Sequence, residues 1–480
     1  MQNFDRYIQS VLILSSSFQS VALPPDSYRD ELWHLLFGLQ IYISIWFKQN
    51  FNSKKSIWIG FTDVVHLQPD KNPIMELFYH TLANGIRLVH HRTNGMVAHC
   101  GLIINTGSRD EKTPEHGIVH LIEHMLFKGT RKRKAYYILS CLDNAGGELN
   151  AYTTKEETTI HASVLKEDFE KAVDIISDIA FNSLFPEKEI PKEKDVIIEE
   201  INSYLDNPGE LIFDDFEEMV FSGQSLGRNI LGTPESVRSF TRETLNDFVS
   251  RNYNPFETVF CSVGNIPEQK IVRLFNKYFG TVPAKKKKNR NINPAIYKPS
   301  LQIKKKDTNQ NHCIIGNVAF NFKDKRRMGM FLLNNILGGQ GLNSRLNLSL
   351  REKNGLAYNV ESNYNAYHDT GIFSIYFGTD GQNLEKSIAI ANSELNKLRR
   401  SKLGSVQLSR SKNQIKGYLA RGYENHENLM LSLGKSLLVF NKIDTLEEIC
   451  RKIDNISSSE LLDIANEVFD PARLSTLIYK

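Results

Sequence analysis

The stretch HGIVHLIEHMLFKGT, residues 116–130, places histidines and a glutamate in an otherwise apolar segment. On an α-helix, residues four apart share one face, so His120 and His124 can direct both imidazoles at one point. Zinc accepts imidazole nitrogen readily, and Glu123 lies close enough to act as general base on a water without being a ligand. We expect His116, one turn earlier, to lie behind the ligands or at the surface. The order H-x-x-E-H is the inverted zincin signature.

Two buried histidines can also be hydrogen-bonded core residues rather than metal ligands. Three ionisable groups together in a core are costly, however, unless they coordinate something. The apolar surroundings within residues 116–130 therefore favour a zinc site. Two histidines and a water leave zinc one protein ligand short, so a third ligand must come from another segment.

The segment IPKEKDVIIEEINSYLDNP (Ile190–Pro208) offers this ligand. Pro191 in its first turn and the proline at its end predict a helix between them. Four residues at helical spacing predict its buried face: Val196, Ile197, Ile201 and Tyr204. Glu200 falls in the middle of this face and is the predicted third ligand, with Glu193, two turns earlier, supporting the site from behind. Glu199 points away and is expected to be solvated.

Length and composition limit the classes of function. A chain of 480 residues predicts two or more domains, and 41% hydrophobic with 24% charged residues is typical of a globular protein. A formal net charge of +4 gives no case for nucleic-acid binding or a polybasic membrane role. The five cysteines are scattered without C-x-x-C spacing, which fits a reducing compartment and predicts a cytoplasmic protein.

Residues 1–74 differ from the rest of the chain. At Met75 the sequence changes to YHTLANGIRLVHHRT, in which an Asn84-Gly85 turn joins two predicted strands of a hairpin. We therefore expect Met75 to be the true start of the protein and residues 1–74 to be an extension outside the fold that arises from an upstream misreading of the start. The alternative is a weak membrane anchor, since Leu32–Phe47 is apolar but interrupted by polar residues.

From Met75 onward, strands alternate with helices, which indicates an α/β or α+β fold. The stretch 283–300 is basic, contains three prolines and predicts an exposed linker. Its charge run, Lys285–Lys288, is interpreted as a solvated loop rather than a binding patch. These boundaries predict a zinc-binding catalytic domain over 75–282 and a second domain over 301–480.

The two predicted domains resemble each other. Val97–Gly107 has a counterpart in Gln310–Phe320, and a polar turn and an apolar helix follow each of them. In this alignment the HLIEH positions correspond to apolar residues of the second domain: Leu333, Ile336 and Leu337. The counterpart of Glu200 falls near Gly417 or Tyr418, so the second domain is predicted to be homologous but without a metal site.

Three motifs together resemble the pitrilysin, insulysin and mitochondrial processing peptidase family of zinc metallopeptidases: HLIEH, the EKDVIIEE helix and GSRDE (Gly107–Glu111). The similarity runs from about residue 77 to the C-terminus. It implies an α+β fold of two homologous α/β sandwich halves, each an antiparallel-rich sheet covered by helices, in a clam-shell protomer.

The same resemblance implies further site residues. NAYTTKEET resembles the family's exposed edge strand, so that Asn150, Ala151 and Tyr152 would pair with an extended peptide. Arg351 and Tyr358 resemble an Arg/Tyr pair that holds the substrate carbonyl and the tetrahedral oxyanion. Family members of this length pair two chains around a hollow chamber, which predicts a homodimer or a heterodimer with a related subunit.

The expected function is a zinc-dependent endopeptidase with one Zn²⁺ per chain, cutting peptides or unfolded segments in an enclosed chamber. Two alternatives stay open: a dedicated processing peptidase that removes a leader from a precursor, and a non-catalytic subunit that only binds peptides. An inactive copy has no need of Glu123, which argues against the second alternative. The expected partners are a peptide substrate and a second chain, without nucleic acid, and membrane association is not expected.

Overall fold

The computed structural model of the chain describes residues 76–286, 290 and 297–480. The predictions for residues 1–74, an extension outside the fold or a weak anchor, lie outside the described residues. Within the described part of the chain, no helix combines the length and apolar character needed to cross a membrane.

Six strands form the first sheet: β1 (Leu77–Thr81), β2 (Arg87–Arg92), β3 (Val97–Ile104), β4 (Glu148–Thr153), β5 (Thr158–Leu165) and β6 (Thr258–Gly264). Their order is β1-β2-β6-β3-β5-β4, so that β4 is an edge strand. β2 runs parallel to β6, and the other neighbours are antiparallel. The predicted hairpin around the Asn84-Gly85 turn is confirmed as β1 and β2.

Five strands form the second sheet: β7 (Leu301–Lys304), β8 (Asn311–Ala319), β9 (Ala357–Ala366), β10 (Gly371–Thr379) and β11 (Ser475–Tyr479). Their order is β7-β11-β8-β10-β9. β7 runs parallel to β11, whereas the remaining pairs are antiparallel. Every residue of β6 and of β10 is buried, because helices cover both faces of these central strands.

Helices pack on these sheets through apolar faces that recur at helical spacing. In the first half they are α1 (Ile118–Leu126), α2 (Ala135–Asp143), α3 (Phe169–Phe181), α4 (Ile190–Leu205), α5 (Pro208–Val220), α6 (Pro234–Ser239), α7 (Arg242–Asn252) and α8 (Glu268–Phe279). In the second half they are α9 (Arg327–Gly338), α10 (Leu384–Arg400), α11 (Ser405–Glu424), α12 (His426–Phe440), α13 (Leu446–Asp454) and α14 (Ser458–Val468).

The internal duplication is confirmed by the topology. From β2 onward, each strand of the first sheet has a counterpart at the same place in the second sheet: β2 and β7, β6 and β11, β3 and β8, β5 and β10, β4 and β9. α1 corresponds to α9, and α4 corresponds to α11, since each pair follows the same strands and packs together. The α9 residues Leu333, Ile336 and Leu337 are buried core residues, as the alignment predicts.

The two halves exchange helices. α5 belongs to the first half in sequence but packs on β8 and β11 of the second sheet, in a cluster that includes Phe216 and Leu477. α12 belongs to the second half but packs on β3 and β6 of the first sheet, where Met430 and Leu433 join Ile103. Each half therefore completes the core of the other.

The interpretation of 283–300 as an exposed linker is wrong at Arg290, and Lys285 and Tyr297 are half-buried as well. The side chain of Arg290 is only 7% exposed, because two carboxylates at the junction of the halves, those of Asp110 and Glu156, contact its guanidinium. A basic, proline-rich stretch predicts solvation, since its pattern carries no information about distant acids that bind one of its side chains.

The exchange of helices predicts that a first-half side chain stabilises the second sheet. The Phe216 ring is 1% exposed and packs against the backbone of β8 at Gly316. Phe216→Ala should lower the free energy of unfolding by about 3–5 kcal/mol. Amide hydrogen exchange should accelerate in β8 and β11 first. Phe331→Ala, on the exposed face of α9, is the control and should change stability by less than about 0.5 kcal/mol. Unchanged protection of β8 in Phe216→Ala would contradict the exchange.

Candidate active site

α1 carries the paired histidines. It begins after Gly117, whose φ of +91° and close approach to Gly232 leave no room for a side chain. The rings of His120 and His124 lie 4.6 Å apart between centroids, on one face of the helix. His120 is buried and His124 is half-buried. The i, i+4 spacing therefore brings the two imidazoles together as predicted.

Glu200 on α4 meets the histidines from the neighbouring helix. Its Oε2 lies 3.1 Å from Nε2 of His120 and 3.8 Å from Nε2 of His124. One candidate ligand atom from each of the three residues falls within 4.8 Å of the others. The hydrogen bond with His120 lowers the pKa of Glu200, against the effect of burial. A metal could be held by these three groups.

The burial pattern of α4 differs from the prediction. The helix spans Ile190–Leu205 as expected, but Val196 is 51% exposed rather than buried. The buried face is formed by Ile190, Glu193, Ile197, Ile198 and Ile201. Glu200 consequently lies at the rim of this face, with its side chain 45% exposed, and not in its middle. An apolar residue at helical spacing does not by itself show which side of the helix faces the core.

Glu193 supports the site from behind. Its Oε2 lies 3.2 Å from Nδ1 of His124, and its Oε1 accepts a hydrogen bond from Nζ of Lys128 at 2.7 Å. Burial lowers the pKa of His124, and His120 lowers it further, so the neutral imidazole is favoured. A neutral imidazole fixed at Nδ1 by a carboxylate presents Nε2 to a metal. The two imidazoles and one carboxylate are a donor set that suits zinc.

Glu123 lies beside His120 on α1, near the end of β4. Its Oε2 lies 4.0 Å from Nδ1 of His120, and its carboxylate lies near Thr153, whose buried hydroxyl has no hydrogen-bond partner among the described residues. Burial raises the pKa of Glu123, whereas Thr153 and His120 lower it. Glu123 is thus adjacent to the three candidate ligands without being one of them.

His116 and Glu199 lie outside the group of candidate ligands. The ring of His116 lies 2.7 Å from the carbonyl oxygen of Asn229, and the carbonyl of His116 accepts a hydrogen bond from Ser236. It therefore fixes the start of α1 instead of facing the imidazoles. Glu199 is exposed, as predicted from its place on the helix.

The predicted substrate strand lies at the edge of the first sheet. β4 pairs with β5 alone, so that one edge of its backbone is free of strand partners among the described residues. Asn150 is exposed, while Ala151 packs against the core. The Tyr152 side chain lies on the face of the sheet opposite to that of Ala151. There its ring lies near the ring of His161, at 6.0 Å between centroids. α1 packs on this strand, which places the edge beside the histidines.

Arg351 and Tyr358 lie together at the surface of the second half. Arg351 belongs to a π-helical turn (Asn347–Glu352), and its guanidinium lies 4.9 Å from the centre of the Tyr358 ring. Tyr358 is 75% exposed at the start of β9. Within the described part of the chain, no hydrogen bond or ion pair joins either residue to His120 or His124. The structure brings the pair together but, among the described residues, not to the candidate metal ligands of its own chain.

Glu111 is a site residue that sequence reasoning missed. It is 4% exposed, and its carboxylate accepts hydrogen bonds from the backbone N–H groups of Gly117, at 3.0 Å, and Val119, at 3.1 Å. These N–H groups at the start of α1 have no partner within the helix. Glu111 thus holds the helix that carries both histidines. Its GSRDE motif was visible, but Gly117 follows Glu111 six positions later in the chain, and no capping pattern has this spacing.

The pKa of Glu111 predicts how stability depends on pH. Burial raises this pKa to about 8, with Val119, Gly117 and Arg228 acting in the opposite direction. Since the unfolded value is about 4.3, the folded state binds an extra proton between these values, and its stabilising effect is lost as pH rises through about 8. Glu111→Gln cannot lose a proton. Its melting temperature relative to wild type should therefore rise between about pH 6 and about pH 9, measured in chelator-treated protein.

The control for this measurement is Glu187→Gln, since the Glu187 side chain is 74% exposed. Its melting temperature should follow that of wild type across the same pH range. A Glu111→Gln difference that stays constant or shrinks with rising pH would show that Glu111 is ionised in the folded protein throughout.

Two known protein families match successive parts of the chain. Residues 87–234 match the family described as Insulinase (Peptidase family M16), and residues 239–415 match the Peptidase M16 inactive domain. The first match contains α1 and α4, which carry the candidate ligands. The second contains α9, whose corresponding positions are apolar.

Several relatives and solved structures are similar over most of the chain. The uncharacterized zinc protease YmxG of Bacillus subtilis (strain 168) is 36% identical over 392 residues, which are 81% of this chain and 95% of the relative. An uncharacterized zinc protease of Rickettsia bellii (strain RML369-C) is 35% identical over 377 residues, 78% of this chain and 91% of the relative. The crystal structure of a protease from Helicobacter pylori has a TM-score of 0.77 at 22% identity, covering 84% of this chain and 99% of that one.

A peptidase M16 inactive domain from Pseudomonas fluorescens has a TM-score of 0.79 at 17% identity, covering 84% of this chain and 97% of that one. At these identities the two structures show the fold alone: two homologous halves, each a sheet covered by helices. The relatives from Bacillus and Rickettsia, matched over more than three quarters of the chain, carry the assignment further. The chain belongs to peptidase family M16.

Proposed function

We propose that this protein is a zinc-dependent endopeptidase in which His120, His124 and Glu200 hold one Zn²⁺ per chain. The observation that carries the proposal is the meeting of these three side chains, from two helices, with a fourth ionisable group, Glu123, beside them. Relatives of this family named as zinc proteases support the choice of metal and of reaction.

Each residue of the site has its own role in the proposed reaction. When bound here, zinc lowers the pKa of a water and polarises the scissile carbonyl. Glu123 takes the proton of the attacking water and later gives it to the leaving amine, which is general base and then general acid catalysis. Glu193 keeps His124 oriented by its contact with Nδ1. Thr153 lies beside the Glu123 carboxylate at the end of β4.

Substrate binds as an added strand on β4. An extended peptide would take up the free edge of the strand at Asn150, Ala151 and Tyr152, through main-chain hydrogen bonds that depend little on side chains. This mode requires a peptide that is short or locally unfolded, because a folded protein does not present an extended segment. It favours the general peptidase over a processing peptidase with a single precursor.

We further propose that Arg351 and Tyr358 act on the metal site of a second chain. Both residues are at the surface and carry strong donors, and in their own chain they contact each other and Glu352 rather than the histidines. In a symmetric dimer, each pair would face the partner's zinc across an enclosed chamber. There it would donate hydrogen bonds to the scissile carbonyl oxygen as negative charge develops.

Metal content and activity should separate the ligands from the base. Glu123→Gln should retain zinc and lose hydrolysis of a peptide library by at least about 100-fold, because the ligands are intact and the base is gone. Glu200→Gln should lose both zinc and activity. Glu199→Gln, an exposed neighbour on the same helix, is the matched control and should resemble wild type in both measurements.

Three results of this experiment count against the proposal. Zinc content in Glu200→Gln equal to that of wild type would remove Glu200 from the ligand set. Wild-type hydrolysis in Glu123→Gln would remove the base. Wild-type protein that binds zinc and peptide without cleaving any peptide would indicate the non-catalytic subunit.

Mixing two inactive chains tests whether the site is shared. A chain with Arg351→Ala and Tyr358→Phe is combined with a Glu123→Gln chain, and peptide hydrolysis is measured. Random pairing yields about half mixed dimers, and each has one site with an intact base and an intact pair, so activity should recover to about a quarter of wild type. The control replaces the second chain by one that carries all three substitutions and should give no recovery. No recovery in the first mixture, with mixed dimers detected, places the pair in cis.

A further inference from the structure

The loop that carries GSRDE continues the hydrogen-bonding pattern beyond the end of β4. The N–H of Ser108 donates to the carbonyl of Thr154 at 3.2 Å, and that of Arg109 donates to the carbonyl of Lys155 at 2.8 Å. A Cβ at Gly107 would lie 2.4 Å from the carbonyl oxygen of Thr154, so only glycine permits this approach. The segment that follows the proposed substrate strand is therefore packed directly against the GSRDE loop.

Charged side chains at this contact connect it to the second half. NH1 of Arg109 donates to Oε1 of Glu156 at 2.7 Å, and its NH2 donates to Oδ2 of Asp369 at 2.7 Å. Asp369 lies in the turn between β9 and β10 of the second sheet. The N–H of His368, in the same turn, donates to Oε2 of Glu156 at 3.0 Å. Glu156 is thus held by both halves.

The linker adds another arginine to the same cluster. Nε and NH2 of Arg290 donate to the two carboxylate oxygens of Asp110 at 2.9 and 2.8 Å. Its NH2 also donates to the backbone carbonyl of Glu156 at 2.8 Å. First half, linker and second half therefore meet at Glu156, three residues after Thr153.

These charges are largely removed from water. The side chains of Arg109 and Arg290 are 6% and 7% exposed, and those of Glu156, Asp369 and Asp110 are 12% to 16% exposed. Burial would lower the pKa of both guanidinium groups, yet the carboxylates raise it overall. Removing one member of such a cluster leaves another buried charge without compensation, which destabilises the contact between the halves.

We propose that four residues, Arg109, Glu156, Asp369 and Arg290, form a positioning network. The network couples the position of the second half and of the linker to the position of the end of the substrate strand. Through Thr153 it also affects the position of the general base, Glu123. This inference rests on the proposed function. Thr153 is the last residue of β4, the strand on which α1 packs, and it lies beside the Glu123 carboxylate. A shift of the turn that contains Glu156 is therefore transmitted to the peptide-binding edge and to Glu123 at once. None of the four residues touches a metal ligand.

Variants at Arg290 and Asp369 test the network, because both residues are remote from α1 in sequence. Arg290→Ala and Asp369→Asn should lower kcat/KM for peptides by about 10-fold to 100-fold at unchanged zinc content. Amide exchange of residues 150–157 should accelerate in the same variants, whether or not peptide is cleaved. Arg290→Lys keeps the charge but loses the two-pronged contact with Asp110, and should fall between wild type and Arg290→Ala.

Arg133→Ala is the matched control, since Arg133 is also a buried arginine with two carboxylate partners, Asp174 and Asp178. It should lower the melting temperature without changing kcat/KM per zinc-bound chain or the exchange of residues 150–157. An Arg290→Ala variant that behaves like this control overturns the proposal, because its role is then stability alone. Should Arg290→Ala fail to fold, Arg290→Lys and Asp369→Asn decide the same question.

Failure of the proposed function gives a different result. Wild-type protein that hydrolyses no peptide with zinc bound contradicts the endopeptidase. The exchange of residues 150–157 still decides the network in that case: faster exchange in Arg290→Ala than in Arg133→Ala supports it, and equal exchange overturns it.

Discussion

Two imidazoles and a carboxylate lie on one turn of α1 inside a protein core, where ionisable groups are stable only if neighbouring groups satisfy them. Glu193 contacts His124, Glu200 contacts His120, and Thr153 faces Glu123. These partners come from α4 and from the end of β4. The ionisable side chains of α1 therefore require α4 and the end of β4 to lie beside them. The start of α1 is held in turn by the buried carboxylate of Glu111.

The duplicated half shows the same architecture without this requirement. α9 occupies the place of α1, and Leu333, Ile336 and Leu337 fill the positions of the two histidines and Glu123. The packing of α9 on α11 parallels that of α1 on α4, so the fold itself does not need the ionisable residues. Their cost in the first half is explained by chemistry rather than by packing. The exchange of α5 and α12 then makes the two cores depend on each other.

Sequence reasoning predicted the parts of the site that lie within one element. The spacing of His120 and His124 and the helix around Glu200 follow from local periodicity, and the duplication follows from matching patterns. Periodicity did not show that Val196 is exposed, since the face of α4 that meets α1 depends on tertiary packing. Nor did it show the burial of Arg290, whose partner Asp110 lies 180 residues earlier in the chain. Long-range ion pairs leave no local signal in a single sequence.

Two side chains of the proposed site, those of Glu200 and Tyr358, are exposed to solvent. Glu200 keeps 45% of its side chain accessible, which a hydrolytic metal site needs, because water and substrate must reach the metal. Tyr358 is 75% exposed beside a guanidinium, in a region where a π-helical turn replaces ordinary helix. Such turns are frequent at functional sites. The helix exchange and the ion network between the halves keep this pair and the candidate metal site in a fixed frame.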